Sequence, residues 1–363
     1  MTGLTDMRQR VTVLHTCLEP AIEGSAARVH GEVICRGLTR RGLRVVRNWN
    51  TAASPSGPGG RFSTWSRYWW RTLRSVRHVD AVYCRWHVVD LPTCLLARLH
   101  GKRLVLEVNG GLGDVPIAHP RARTLAPLLR LLARTEFRLA HSVICVSPGL
   151  QAWVRRTARG HTDVRWARNG ADPELVRRRR SAAVPAYACF VGVLAGWQGI
   201  ELLLAASASP HWPQGVGLQV VGDGQHAGLV RHAARKLPHI RYHGRLPRDR
   251  ALEVLAASSV SLCLPTSDLE RNQINGIPFK LLDSLVLGVP AVVSPLRQQT
   301  NTVLLAQGGI TVEETARHVA LAVADLVGQS RDSERRALST RSAALLSWEY
   351  AIDTAEAAVA PAG

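Results

Sequence analysis

The sequence predicts an α/β protein built on two open, parallel sheets. Short apolar runs of strand length alternate with amphipathic helical stretches throughout, the pattern of repeated βαβ units. The alternation breaks once, between Pro173 and Pro185, and then restarts, so the chain reads as two α/β halves. Its 363 residues, 46% of them hydrophobic, suffice for two domains of ordinary size with a core each.

In the first half the strand candidates are 11–15, 43–47, 81–84, 104–108, 143–146 and 164–167, with helical stretches such as 26–39 and 121–139 between them. The second half offers strands at 187–191, 218–221, 240–243, 260–264 and 291–293, and helices at 200–206, 225–236, 248–257 and 279–287. From 333 to 358 the residues are mostly helix formers. The run Arg177 to Arg180 repels itself and reads as a solvated linker. The expected division is therefore 1–172 for a first domain, 173–185 for a linker, 186–340 for a second domain, and 341–363 for a C-terminal helix and tail. Open α/β sheets bind ligands beyond the carboxyl ends of their strands.

Composition narrows the class. The seven cysteines are odd in number, widely spaced and mostly inside apolar runs, as expected of buried thiols in a reducing compartment. No stretch approaches the ~20 consecutive apolar residues of a membrane span, and the first eleven residues lack a secretory apolar core. The expectation is a cytoplasmic protein, with peripheral contact at the inner membrane face left open. The charge is +19, from 46 basic and 27 acidic residues. Only Lys102, Lys236 and Lys280 are lysines; the arginines are scattered along helices, as in a GC-rich genome. No RNP-like aromatic motif, helix-turn-helix or finger spacing accompanies the charge, so no nucleic-acid partner is expected.

Several short motifs could carry chemistry. Glu23-Gly24-Ser25 follows the first strand and precedes a helix, where a glycine lets backbone N–H groups approach a phosphate or sugar; an ordinary turn is the alternative. Asn275-Gly276-Ile277-Pro278 is a loop feeding a helix whose first-turn N–H groups make a diphosphate cradle. Lys280 sits in that first turn, where a cation is disfavoured unless an anion is near. Asp283, one turn on from Phe279, can accept two ribose hydroxyls. Tyr83 to His87 ends a strand, and Trp86 beside His87 either stacks on a sugar or belongs to the core. Trp65, Tyr68, Trp69 and Trp70, interleaved with Arg61, Arg67, Arg71 and Arg74, form a helix with Trp65, Tyr68 and Trp69 on one face, which either packs on the core or lies at a membrane interface.

The ordered motifs Val221-Gly222-Asp223-Gly224, His243-Gly244-Arg245-Leu246, Leu264-Pro265-Thr266-Ser267, Lys280 to Leu285 and Gly288 to Val293 resemble glycosyltransferase family 4. Val146-Ser147-Pro148, Asn169 to Asp172, Phe190-Val191-Gly192 and Trp197 to Leu203 extend the similarity, and Leu106 to Gly110 is similar to a variant segment of some bacterial members. The resemblance implies the GT-B fold, two Rossmann-like domains facing each other across a cleft, with a C-terminal helix returning to the first. It implies a hexosyltransferase acting on a nucleotide diphosphate sugar, usually with retention and without an essential metal or cofactor. UDP-sugar is expected ahead of GDP-sugar. The family's Glu-x7-Glu motif falls on Asn275 and Asp283, so the ribose carboxylate is kept and the residue near the donor sugar becomes an amide.

Other departures are informative. The Arg and Lys that stabilise the leaving diphosphate are replaced by Val193 and Gln198. Arg271, Lys280 and Arg245 are the candidate substitutes, because charge on the leaving group must be met electrostatically. Asn109 stands where a His often lies near the reacting sugar. The expected catalytic set is thus Asn275, Lys280, Arg271 and Asn109. The expected donor set is Gly24, Gly192, Gln198, His243, Arg245, Gly276, Ile277, Phe279 and Asp283, and the expected acceptor set is Trp86, His87 and Glu107. An inverting enzyme would need a base such as Glu107, Asp114, His87 or Asp90; without a diagnostic spacing for one, retention is expected. The acceptor is read as a small natural product or aminocyclitol. The alternatives are a cell-envelope or lipid-linked glycan, or a degenerate sugar-nucleotide-binding partner protein.

Overall fold

The computed structural model describes residues 11–52, 58–115, 120–160 and 162–360. It divides into two compact units, one of residues 1–168, 274–276 and 349–363, the other of 169–273 and 277–348.

Unit 1 is a six-stranded, all-parallel sheet in the order β2-β1-β3-β4-β5-β6. The strands are β1 (Thr12–Cys17), β2 (Arg44–Trp49), β3 (Ala81–Arg85), β4 (Arg103–Val108), β5 (Ser142–Cys145) and β6 (Asp163–Trp166). The central strands are apolar on both faces, as burial between two helical layers requires: Val82, Leu104, Leu106 and Val143 are fully buried. Helix α1 (Ala26–Arg40) connects β1 to β2. Helices α2 (Pro58–Val76), α3 (Leu91–Leu99), α4 (Ala126–Leu139) and α5 (Pro148–Ala158) follow, and α2, α3 and α4 pack side by side. Ser25 caps α1 by accepting from the Arg28 N–H at 3.2 Å, which starts the helix where the sequence suggests.

Unit 2 repeats the plan, with the order β12-β11-β10-β7-β8-β9 and every pair parallel. Its elements are β7 (Tyr187–Val191), α6 (Ile200–Ser207), β8 (Gly217–Val221), α7 (Ala227–Lys236), β9 (Ile240–Gly244), α8 (Arg248–Ala256), β10 (Val260–Cys263), α9 (Glu270–Ile274), α10 (Phe279–Val286), β11 (Ala291–Val293), α11 (Arg297–Ala306), β12 (Gly309–Thr311), α12 (Ala316–Gln329) and α13 (Asp332–Leu345). Both sheets are Rossmann-like. The strand order reverses between β1 and β3 in unit 1 and between β7 and β10 in unit 2, and these reversals mark the expected ligand positions.

The structure departs from the sequence reading in several places. Helices α9, α11 and α12 and strand β12 were not foreseen; β12 is three half-buried residues at the sheet edge, too short to show a pattern. Residues 173–185, expected as a solvated linker, are packed on unit 2. Pro173–Arg178 is a 3-10 turn with Leu175 buried, Ala183 N–H donates to the Ala257 carbonyl at 2.8 Å, and the buried Arg335 donates to the Arg180 carbonyl at 3.0 Å. The helix-forming stretch 333–358 is two helices, α13 and α14 (Glu349–Val359), and α14 belongs to unit 1, the domain to which the C-terminal helix was expected to return. It lies on α1 so closely that a Cβ on Gly37 would fall 2.5 Å from Ile352. Arg41 donates to Glu349 at 2.8 Å, to Asp353 at 2.5 Å and to Glu356 at 3.3 Å across the same contact.

Candidate active site

In unit 2 the loops after β7, β8 and β10 meet at the strand-order reversal, and glycines permit it. Gly222 has φ 140°, and a Cβ there would sit 1.8 Å from the Gly192 carbonyl oxygen. Gly199, at φ 67°, ends the 3-10 turn Gly196–Gln198 and starts α6; a Cβ there would overlap the Leu264 carbonyl. No larger residue fits either contact.

Into this junction the first turn of α10 carries Lys280. Its Nζ donates to Gln198 Oε1 at 2.8 Å and lies 3.7 Å from the centre of the Phe190 ring. Among the described residues no carboxylate pairs with it. Burial lowers its pKa to about 8, against a smaller opposing effect of the Cys263 and Cys189 thiols. An enclosed ammonium at a helix N-terminus, with neutral neighbours only, is an electrostatic arrangement that an anion would complete. Gly192, at φ 152°, leaves room for it: a Cβ would come within 2.9 Å of Nζ. Gly192→Ala is accordingly expected to displace the ammonium and weaken anion binding at this junction about tenfold, measured by titration calorimetry with pyrophosphate.

Gln198 is therefore the Lys280 acceptor. Arg271 stacks over Trp197 at 4.5 Å and donates to Asn272 Oδ1 at 3.2 Å, while Asn272 Nδ2 donates to the Trp197 and Thr266 carbonyls at 3.0 and 2.8 Å. That mesh ties the Arg271 loop to the Gln198 turn. Asp283 is buried on α10 and accepts from Arg248 at 3.0 Å through Oδ2. Burial raises its pKa and Arg248 opposes the rise. The Arg248 contact, made through Oδ2, was not foreseen. Arg245 is exposed after Gly244 (φ 67°). His243 shares a 2.7 Å hydrogen bond with Gln219, and burial, aided by Arg241, lowers its pKa.

Two members of the expected donor set have packing roles instead. Ile277 is buried in the core beneath α10, and the Phe279 ring lies 5.8 Å from that of Trp348. Gly24 is in unit 1, at φ 75° in the turn before Ser25, with open space where a Cβ would be.

In unit 1 the strand ends at the reversal hold a buried polar cluster. Glu107, at the end of β4, accepts from Tyr83 at 2.6 Å, from Asn109 at 2.5 Å and from Arg85 at 3.4 Å, and lies 2.7 Å from His30 Nδ1. Burial would raise its pKa, but His30, Arg85 and Tyr83 hold it well below the carboxylate range. Arg85 also donates to Glu19 at 2.9 Å. Behind them Trp49 donates to His15 at 2.9 Å, and burial lowers the His15 pKa to about 4. His30 and Glu19 were not foreseen, and Arg85 was read only as a neighbour of Trp86; an arginine closing an otherwise apolar strand is the one signal the sequence offered. The Glu107 carboxylate is engaged by neighbours rather than offered to an acceptor.

Trp86 is likewise a core residue. Its ring packs on Phe137 and Trp153 at 5.1 and 5.7 Å, and its Nε1 donates to the buried Glu136 at 2.7 Å. His87 is half-buried with its ring 6.3 Å from Trp65. Asp90 accepts from Tyr68, Trp69 and Thr93 at 2.8, 2.8 and 2.6 Å, and burial raises its pKa to about 6. Asn275 and Gly276 are grouped with unit 1; Asn275 Nδ2 donates to Asp114 at 3.3 Å, and the preceding carbonyl, of Ile274, accepts from Ser147.

Residues 185–329 match the family model described as Glycosyl transferases group 1. No curated protein matches the sequence. Among solved structures the chain is similar to sucrose-phosphate synthase from Thermosynechococcus elongatus, with a TM-score of 0.71 at 15% identity over 96% of this chain and 98% of that one. It is similar to WaaG, a glycosyltransferase involved in lipopolysaccharide biosynthesis, with a TM-score of 0.68 at 14% identity over 96% and 100%. It is also similar to Anabaena Alr3699/HepE in complex with UDP, with a TM-score of 0.65 at 13% identity over 96% and 98%. At these identities the likeness establishes the fold, the α/β architecture of GT-B glycosyltransferases.

Proposed function

We propose that this chain, a glycosyltransferase whose unit 2 carries the group 1 domain, moves a hexosyl group from a UDP-sugar to a hydroxyl of a small polyhydroxylated acceptor with retention. The observation that carries the donor half is Lys280, enclosed by Gly192, Gln198 and Phe190 with no counter-ion among the described residues. A diphosphate supplies the missing charge, and Lys280 with Arg271 takes the place of the absent Val193 and Gln198 cations. Asp283, oriented by Arg248, is left to hold the ribose. Uracil is favoured as the base because the HepE structure was solved with UDP.

In the reaction the bond between the anomeric carbon and the β-phosphate oxygen breaks, and the acceptor oxygen bonds to that carbon. Lys280 meets the charge growing on the departing diphosphate. The acceptor proton passes to a phosphate oxygen of the leaving group. Retention is supported by how the carboxylates of unit 1 are occupied: Glu107 is held by Arg85, Tyr83 and Asn109, Asp90 by three neutral donors, and Asp114 by Asn275. An inverting enzyme would keep one of these open as a base. The anomeric configuration of the product, read by NMR, decides this.

UDP affinity should depend on pH in a defined sense. The protonated amine binds phosphate, so affinity should be level below the Lys280 pKa of about 8 and fall above it. Titration from neutral to alkaline pH should show the inflection in the wild type and not in Lys280→Arg. Unchanged affinity well into the alkaline range would remove Lys280 from the phosphate site. A second acceptor class, a cell-envelope or lipid-linked glycan, is favoured by the exposed Trp70 and Phe62 on α2. Transfer to acceptors presented in vesicles, against soluble polyols, separates the two.

A further inference from the structure

We propose that the outward face of the α2–α3–α4 layer of unit 1 seats on an anionic lipid surface. Helix α2 buries Thr64, Tyr68, Thr72 and Val76, which anchors one side to the sheet. Its other side is not the polar face expected of a surface helix. Phe62 is 69% exposed, Trp70 52% and Leu73 37%. At about 100° per residue these three share one sector, and Arg67, Arg71 and Arg74 fill the next. No Asp or Glu occurs between Pro58 and Val79. None of the three arginines pairs with a carboxylate among the described residues; Arg74 instead stacks on Trp70 at 3.6 Å. The apolar exposure continues across the layer, with Leu99 of α3 at 80% and Leu128 and Leu131 of α4 at 51% and 58%.

Neighbouring apolar and arginine sectors, with an aromatic ring at their boundary, are the make-up of a helix lying in a headgroup region. The bulky apolar groups enter the acyl boundary and the arginines meet lipid phosphates. A nucleic-acid backbone would use the arginines but leave Phe62 and the leucines in water, so a bilayer is the better match. Among the described residues no helix is long and apolar enough to cross a membrane, so the contact is peripheral.

The test is flotation of the full chain with phosphatidylglycerol-containing vesicles and with pure phosphatidylcholine vesicles. The wild type should bind the anionic vesicles at least ~10-fold more tightly. Replacing Arg67, Arg71 and Arg74 together with Glu should cost about a hundredfold. A matched reversal of the exposed Arg235, Arg317 and Arg336 in unit 2 should leave binding within about twofold. Phe62→Ser with Trp70→Ser should also weaken it about tenfold with the charge intact, and UDP-dependent thermal stabilisation in every variant shows that it is folded. Trp fluorescence quenching by brominated lipid should fall in Trp70→Phe. No binding to anionic vesicles, binding unaffected by the α2 variants, or equal loss in the unit 2 control would overturn the proposal. Binding of single-stranded DNA with the same variant dependence, without vesicle binding, would assign the face to nucleic acid instead.

Discussion

Lys280→Ala should abolish the stabilisation of the chain by UDP and lower kcat/KM by about a hundredfold to a thousandfold. A ligand at about a hundred times its Kd stabilises a fold by ~2.7 kcal/mol, which a thermal shift reads easily. Among the described residues the ammonium is partnered by Gln198 and the Phe190 ring and by no carboxylate, so removing it strands none of them. The unliganded variant should therefore melt no lower than the wild type, as expected where a residue is kept for function at a cost in stability. Thermal shift against UDP, GDP, ADP and dTDP, with steady-state kinetics, checks both halves. A variant that retains the UDP shift would move the diphosphate elsewhere. One that loses it because it melts early would make Lys280 structural.

Glu107→Ala should destabilise unit 1 by about 3 kcal/mol, because it leaves Arg85 buried with one carboxylate instead of two. The half-exposed Glu19 remains, which keeps the loss near the low end of that range. Chemical denaturation of wild type and variant measures it. The pH dependence adds a second reading. The Glu107 pKa is depressed by folding, so its contribution is present above the ordinary value of 4.5 and lost as pH falls through the folded value. His15 is neutral in the fold, with a pKa of about 4, but takes a proton when unfolded below 6.5, so stability also falls with pH across that window. Asp90 and Glu136, whose pKa values burial raises to about 6 and about 8, act in the opposite sense over the upper window, so the Glu107 contribution is read from the difference between wild type and variant. That difference should shrink as pH falls below 4.5 and stay level above it.

How much of this was legible depended on where the physical cause resides. The strands could be read because parallel strands buried on both faces are continuous apolar runs, as at 104–108 and 143–146. That Lys280 is an unusual cation could be read because it opposes the dipole of the turn that holds it; its burial against Phe190 could not. The Arg85 cluster could not: Glu19, His30, Arg85 and Glu107 are far apart in sequence and only the parallel pairing of β1, β3 and β4 brings them together. Periodicity put Trp65, Tyr68 and Trp69 on one face of α2 but not which way that face pointed. The structure turns Tyr68 inward and leaves Trp70 out. Trp86 was ambiguous for the same reason, since its partners Phe137 and Trp153 lie on helices beyond the next strand. The arginine run at 177–180 misled because like charges suggest solvent, whereas the backbone there is held by hydrogen bonds to Arg335.

The seat of α14 on α1 bears on how the protein is made. Unit 1 is discontinuous: its final helix emerges from the ribosome only after all of unit 2. Until then the Gly37 groove has no Ile352 to fill it and Arg41 has none of its three carboxylates. Unit 2 has no such dependence on distant residues, so the second half of the chain can close first. The usual order of synthesis, with the leading domain finished before the trailing one, is here reversed, and the leading half waits as an incomplete template for its last piece.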